Sequence, residues 1–156
     1  MKQSHTGGCQ CGAVRFVVEG PLGRASICHC RMCQKAFGAF YGPFVSAPKV
    51  RWTTGAPKYF ASSNRVRRGF CEACGTPLSF EPDDGEVDIA IGAFDDPTPI
   101  EPTIQIGVEG RLPWLGKLDS LPGRSPREAE KIAPYLSSIR SLQHPDHDTK
   151  VWPEGA

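Results

Sequence analysis

Seven cysteines carry most of the chemistry open to this chain of 156 residues. They fall into three clusters: Cys9 and Cys11 as CxC, Cys28, Cys30 and Cys33 as CxCxxC, and Cys71 and Cys74 as CxxC. A CxxC turn puts two sulfurs on one side of a tight loop, where both reach a single tetrahedral Zn²⁺ at about 2.3 Å. Cys71-Glu72-Ala73-Cys74-Gly75 has that form. The competing use of closely spaced thiols is a disulfide framework, which belongs to secreted chains and usually to even counts. Here the count is odd and Met1 to Gly8 lacks the hydrophobic segment of a secretory signal. Bound zinc and a reducing, cytoplasmic location are therefore expected.

Seven thiolates do not fill two four-thiolate sites, and the simplest division is four and three. Structural zinc sites are closed, whereas catalytic ones keep an open position. Cys28, Cys30 and Cys33 are contiguous enough to wrap one metal alone, while Cys9/Cys11 and Cys71/Cys74 are each half a site. This favours joining the first and third pairs into a structural site, whose binding energy becomes part of the folding energy. The alternative for CxCxxC is a second structural zinc, completed by His29, His5 or a backbone group. His29 lies between two ligands, so its ring is expected to point away from their metal.

Three thiolates on Zn²⁺ leave a net charge of about −1, and sulfur donation makes the metal a weak Lewis acid. Such a site suits the capture of another soft ligand, a substrate thiol that loses its proton on binding. Arg31 and Lys35 lie close in sequence and could hold a substrate carboxylate, with solvated surface cations as the equal alternative. Trp114 and Phe37 are expected to pack in the core.

The elements that position these residues read as mainly β. Glycine (17) and proline (15) are plentiful, and short β-branched and aromatic runs alternate with turn residues. Ala13–Glu19, Val50–Trp52, Lys58–Phe60, Val66–Phe70, Leu78–Phe80 and Val87–Ile91 read as strands, with Pro82-Asp83-Asp84-Gly85 as a hairpin signal. Gly42-Pro43 marks its strand as an edge or a bulge. Ser125-Pro126-Arg127-Glu128 is an N-cap, a first-turn proline and a capping-box glutamate. Pro134 should break the helix that follows into two short pieces. The end, His144–Ala156, is polar and proline-punctuated and is expected to be loose. The net charge of +1 and the absence of a long apolar run recommend neither nucleic acid nor membrane as partner. The one compact basic patch, Arg65-Val66-Arg67-Arg68, reads better as a solvated strand face.

The order Gly8-Cys9-Gln10-Cys11-Gly12, then Cys28-His29-Cys30-Arg31-Met32-Cys33-Gln34-Lys35, then Gly69-Phe70-Cys71-Glu72-Ala73-Cys74-Gly75-Thr76-Pro77-Leu78 resembles the glutathione-dependent formaldehyde-activating enzyme family, which also includes centromere protein V. The resemblance runs from about Gly7 to about Pro122. It implies a tent-like zinc fold related to Rab-exchange-factor-like domains over residues 1–122, with 123–156 a partly helical, partly loose extension. It also implies a structural zinc on Cys9, Cys11, Cys71 and Cys74 and a catalytic zinc, able to be partly occupied, on Cys28, Cys30 and Cys33. The implied activity is a carbon–sulfur lyase working in the synthetic direction, joining glutathione or a similar thiol to formaldehyde or another small aldehyde; a monomer or homodimer is expected. A non-catalytic zinc-stabilised binding module is the alternative. One departure stands out: where the family usually carries a His-Ile-Trp-like segment, this chain reads Thr103-Ile104-Gln105-Ile106-Gly107, so a different thiol or electrophile is a third reading.

Overall fold

The computed structural model describes residues 3–152. Along the chain run β1 (Ser4–Gly8), β2 (Arg15–Glu19), β3 (Ala25–Cys28), α1 (Arg31–Phe37), β4 (Gly42–Ser46), β5 (Val50–Thr54), β6 (Lys58–Ala61), β7 (Val66–Phe70), β8 (Pro77–Pro82), β9 (Asp88–Ala90), β10 (Ile104–Ile106) and α2 (Pro126–Ser138). The expected mainly β architecture is present. β1, β2 and β5 form a three-stranded sheet, and the other strands a seven-stranded one in the order β10-β3-β4-β9-β8-β7-β6. All pairs are antiparallel except β10 with β3.

Both sheets contribute to one core. Phe16 and Val18 of β2 are fully buried, as are Val45, Leu78 and Ile89 of the larger sheet. Phe16 packs edge-on against Phe94 at 5.2 Å and Trp52 at 5.8 Å, the geometry that aromatic quadrupoles favour. Gly7 is where β1 meets the turn after β9: a Cβ there would lie 2.3 Å from the Ala93 carbonyl and 2.4 Å from Phe16. Only glycine lets β1 make its bridge to Phe94.

Two expectations need correction. Gly42-Pro43 does not mark an edge, since β4 lies between β3 and β9. Pro43 pairs with Ile27 of β3, but the ladder to β9 begins one residue later at Phe44, so the proline sits at its end. Pro134 does not split α2, which runs unbroken after the expected Ser125 capping box. No residue of α2 is buried, so the carbonyl deprived of its partner by Pro134 faces water instead of the core. The described part of the C-terminal segment after α2, expected to be loose, has no helix or strand and is mostly exposed, but it is tied down at single points. His144 is 5 % exposed, its N–H donates to the Gln10 carbonyl at 2.7 Å, and its ring packs on Trp152. Residues 153–156 of that expectation lie outside the described residues.

Arg15 fastens this returning segment through the exposed Asp148 and is itself held by a buried pair with Asp95. The Arg15 guanidinium donates to both Asp95 oxygens at 2.7 and 2.6 Å, and to Asp148 at 2.7 Å. The Arg15 and Asp95 side chains are only 5 % and 11 % exposed. Burial works to raise the Asp95 carboxyl, but the Arg15 guanidinium and the Thr6 hydroxyl outweigh it and hold the group below the ordinary 3.8. Because the folded value is depressed, the stabilisation is full above the unfolded-state value and is lost as pH falls through the folded one. Among the described residues no helix is long and apolar enough to cross a membrane.

Asp95→Asn leaves Arg15 buried beside a neutral amide and is expected to lower unfolding stability at neutral pH by about 3 kcal/mol. Urea unfolding followed by tryptophan fluorescence checks this, and the gap to the parent protein should shrink as pH falls below the carboxylate range.

Candidate metal centres

The β1–β2 and β7–β8 connections are two tight turns that face each other. In the first, the Cys9 N–H donates to the Val14 carbonyl at 2.9 Å and the Val14 N–H to the Cys9 sulfur at 3.2 Å. In the second, the Gly75 N–H closes on the Cys71 carbonyl at 2.8 Å, with Gly75 at φ +77°, the left-handed conformation that ends such a knuckle. Together they bring Cys9, Cys11, Cys71 and Cys74 into one cluster, with all ligand atoms within 4.8 Å of one another. Cys9 and Cys11 sulfurs are 3.6 Å apart, and Cys11 and Cys71 sulfurs 3.8 Å. A tetrahedral ion with metal–sulfur bonds of about 2.3 Å has edges of about 3.8 Å, so the donors are set at the spacing one metal needs.

Electrostatics divide the four thiols. Burial pushes the Cys9 thiol up to about 12. Cys74 goes the other way, to about 6: burial opposes this, but hydrogen bonds from Thr76 and the Cys11 amide prevail. The Thr76 hydroxyl accepts from the Gln10 N–H at 3.0 Å, which leaves its own proton for the Cys74 sulfur at 3.1 Å.

The second cluster is local. Cys28 ends β3, Cys30 is the N-cap of α1 and Cys33 lies in its first turn. Their sulfurs lie within 4.8 Å of one another, and no fourth His, Cys, Asp or Glu joins them among the described residues. Cys28 pairs with Gly42 on one side and Ile106 on the other, so β4 and β10 hold the cluster laterally. Gly42 lets the strand come close, since a Cβ there would stand 2.9 Å from the Phe44 ring and 3.1 Å from the Cys33 Cβ. Gln34, buried and unremarked in the sequence, donates to the His29 carbonyl at 2.8 Å and the Gly110 carbonyl at 2.9 Å, clamping the cysteine turn to residues 108–110. Burial pushes Cys33 up to about 12 against the pull of the Arg68 guanidinium, while hydrogen bonds from the turn outweigh burial and lower Cys30.

His29 and His5 join neither cluster. His29 is 1 % exposed and points away, as its place between two cysteines suggests. Its Nε2–H donates to Gln105 Oε1 at 2.8 Å, and Tyr41 packs edge-on against the ring. Gln105 thus reaches the residue between the two cysteines. Arg31 and Lys35 are exposed and border a groove of about 430 Å³ together with Met32, Phe60 and Arg68. Phe37 packs on Phe44 at 5.1 Å as expected, but Trp114 is not core: it is 42 % exposed and lies edge-on against Phe40. The arginine run is divided. Arg65 pairs with Asp83 and Asp84, and Arg67 with Glu81 while lying over Tyr59. Arg68 turns inward, a destination that its place in a basic run conceals.

A mainly β chain that gathers seven thiols into one four-sulfur and one three-sulfur cluster has two sites that can hold metal ions. The family model described as glutathione-dependent formaldehyde-activating enzyme matches residues 4–109, more than half of the chain, and the chain belongs to that family. The crystal structure of a Rhodobacter sphaeroides protein is 19 % identical over 64 % of this chain and 98 % of that one, with a TM-score of 0.47, a likeness too low to bear on function.

Metal binding must displace the protons that burial holds on Cys9 and Cys33, so affinity falls as pH falls. Acidification of metal-loaded protein from about pH 8 to about pH 5 is expected to release metal in two steps, the three-sulfur site first because it has one thiolate fewer. A chromogenic chelator reads the release, and a single step from both sites would contradict the division.

Proposed function

We propose that the protein is a zinc-dependent carbon–sulfur lyase acting in the synthetic direction, joining glutathione or a similar thiol to formaldehyde or another small aldehyde. What carries this reading is the unequal donor count in a member of this family: four sulfurs make a closed set, and three leave a position for a ligand from outside. Cys9, Cys11, Cys71 and Cys74 would hold a structural zinc, and Cys28, Cys30 and Cys33 the catalytic one. All-thiolate donors at tetrahedral spacing suit zinc. When bound, zinc supplies the positive charge that makes a coordinating thiol give up its proton.

The chain's own residues do the rest. Cys28, Cys30 and Cys33 present three sulfurs from one turn, held by β4, β10 and the Gln34 clamp, so the open side is pre-shaped. Arg31 and Lys35 stand over the neighbouring groove, where a carboxylate-bearing thiol would be oriented. In the reaction the thiolate sulfur forms a bond to the aldehyde carbon, the carbonyl π bond breaks, and its oxygen takes up the proton the thiol released. No oxidant or reductant is involved. Because this chain reads Thr103-Ile104-Gln105-Ile106-Gly107 where the family carries a His-Ile-Trp-like segment, a different electrophile or thiol is the third reading.

The same reading takes residues 1–122 as the zinc domain and 123–156 as an extension. Beyond the family match, Gly110 accepts from Gln34 and Trp114 packs on Phe40, which supports carrying the domain past residue 109.

Metal analysis of the purified protein should find two zinc ions per chain. Mixed with formaldehyde and a panel of thiols, it should accelerate hydroxymethyl-thiol formation, followed by NMR, above the uncatalysed rate for at least one thiol; no excess rate with any of them would end the enzyme reading. Cys30→Ser is expected to abolish the excess while leaving thermal unfolding nearly unchanged, and Cys74→Ser to destabilise the whole domain. Equal effects of the two would undo the assignment of roles.

A further inference from the structure

Arg68 is the buried charge that the fold leaves without an obvious partner. It is 8 % exposed, although it belongs to a strand whose neighbouring arginines reach water. Among the described residues no carboxylate pairs with it; the ion pairs engage Arg15, Arg51, Lys58, Arg65 and Arg67 instead. A buried guanidinium without a counter-charge is costly, and native structures rarely keep one. Its surroundings are a hydroxyl, a ring and a sulfur. Nε donates to Ser62 Oγ at 3.1 Å, Cζ lies 5.0 Å from the Phe80 ring centre, and Nη2 donates to the Cys33 sulfur at 3.4 Å.

The three-sulfur cluster has the complementary deficit. Three thiolates around a divalent ion carry one negative charge in excess, and the side facing Arg68 is shut from water, with Cys33 2 % exposed. Arg68 brings one positive charge to that side, delocalised over a planar group that is weakly hydrated and tolerates burial against Phe80 better than an ammonium would. Ser62 and Phe80 fix the plane of the guanidinium, so Nη2 is aimed before any metal arrives.

We propose that Arg68 is a positioning residue for the three-sulfur site: its buried guanidinium is the site's counter-charge and holds Cys33 as a metal ligand. Partners of this kind, one bond beyond the ligands, set metal affinity by roughly ten- to a hundred-fold. The inference rests on the reading that Cys28, Cys30 and Cys33 hold a metal, and it does not depend on which substrate is turned over. It also separates the two sites, since Arg68 touches the sulfur of one and of none in the other.

The test uses the full chain, stripped of metal and titrated with Co²⁺ and with Zn²⁺ against a competing chelator. The parent protein should bind two equivalents, with the three-sulfur equivalent identified by its loss in Cys30→Ser. In Arg68→Gln that equivalent should weaken by about ten-fold or more, and its sulfur-to-cobalt charge-transfer band should shift, while the four-sulfur equivalent keeps its affinity and spectrum. Arg68→Lys, which restores charge without the planar fork, should recover part of the affinity. Unchanged affinity and band position in Arg68→Gln would overturn the proposal, as would equal weakening of both sites, the mark of a purely structural role. If Arg68→Gln fails to fold by circular dichroism, Arg68→Lys decides: selective weakening supports the proposal, and parent-like or equal loss at both sites overturns it. A parent protein that binds only the four-sulfur equivalent would instead refute the metal reading of the three-sulfur cluster, and the proposal with it.

Discussion

Cys11 and Cys71 stand 60 residues apart in sequence and their sulfurs 3.8 Å apart in space, and much of the fold is arranged around that meeting. Sulfurs that are to share one ion need two turns to face each other at fixed separation, which loops alone do not ensure. Each turn is therefore the tip of a strand pair, β1–β2 from the small sheet and β7–β8 from the large one. The Phe16–Phe94 packing, the Gly7 approach and the Arg15–Asp95 pair lock those sheets to each other. The segment carrying His144 and Asp148 then lies across the first turn.

β7 has a part in both clusters. Its end runs directly into Cys71, and three residues earlier it sends Arg68 to Cys33. This economy sets two demands on one strand: its ladders to β6 and β8 have to be in register for the knuckle and for the guanidinium at once. The register shift at Gly69/Phe70 falls between the two residues that serve the two sites. Gly69 itself has no room for a side chain, since a Cβ would lie 2.3 Å from Ser79 Oγ.

The two clusters were legible in the sequence because ligand spacing is a local property and counting is enough to divide seven thiols. The strands were legible from their β-branched residues and turn signals, and the α2 start from its capping box. What escaped were facts fixed by distant parts of the chain. Pro43 reads as an edge signal, yet it sits in a central strand because its neighbour's ladder starts one residue later. Arg68 reads as one more cation in a surface run, and only its place across from Phe80 and within reach of Cys33 shows it turned inward. His144, Asp148 and Trp152 lie in a tail whose composition suggests nothing ordered. The anchors of His144 and Asp148, Gln10 and Arg15, are more than 120 residues away, and Trp152 packs on His144.

The two clusters also differ in when they can come into being. Cys28, Cys30 and Cys33 leave the ribosome together, a complete set inside six residues of chain, and closing so small a loop costs little entropy. Cys9 and Cys11 emerge earlier still but have to wait for Cys74, through the synthesis of some sixty further residues. A growing chain thus offers its first complete thiol set at the three-sulfur cluster, before β7 exists to bring Arg68 to it. The cluster that joins the β1–β2 and β7–β8 turns has its last thiol only once Cys74 has been made, after the residues of β5, the strand that pairs with β2.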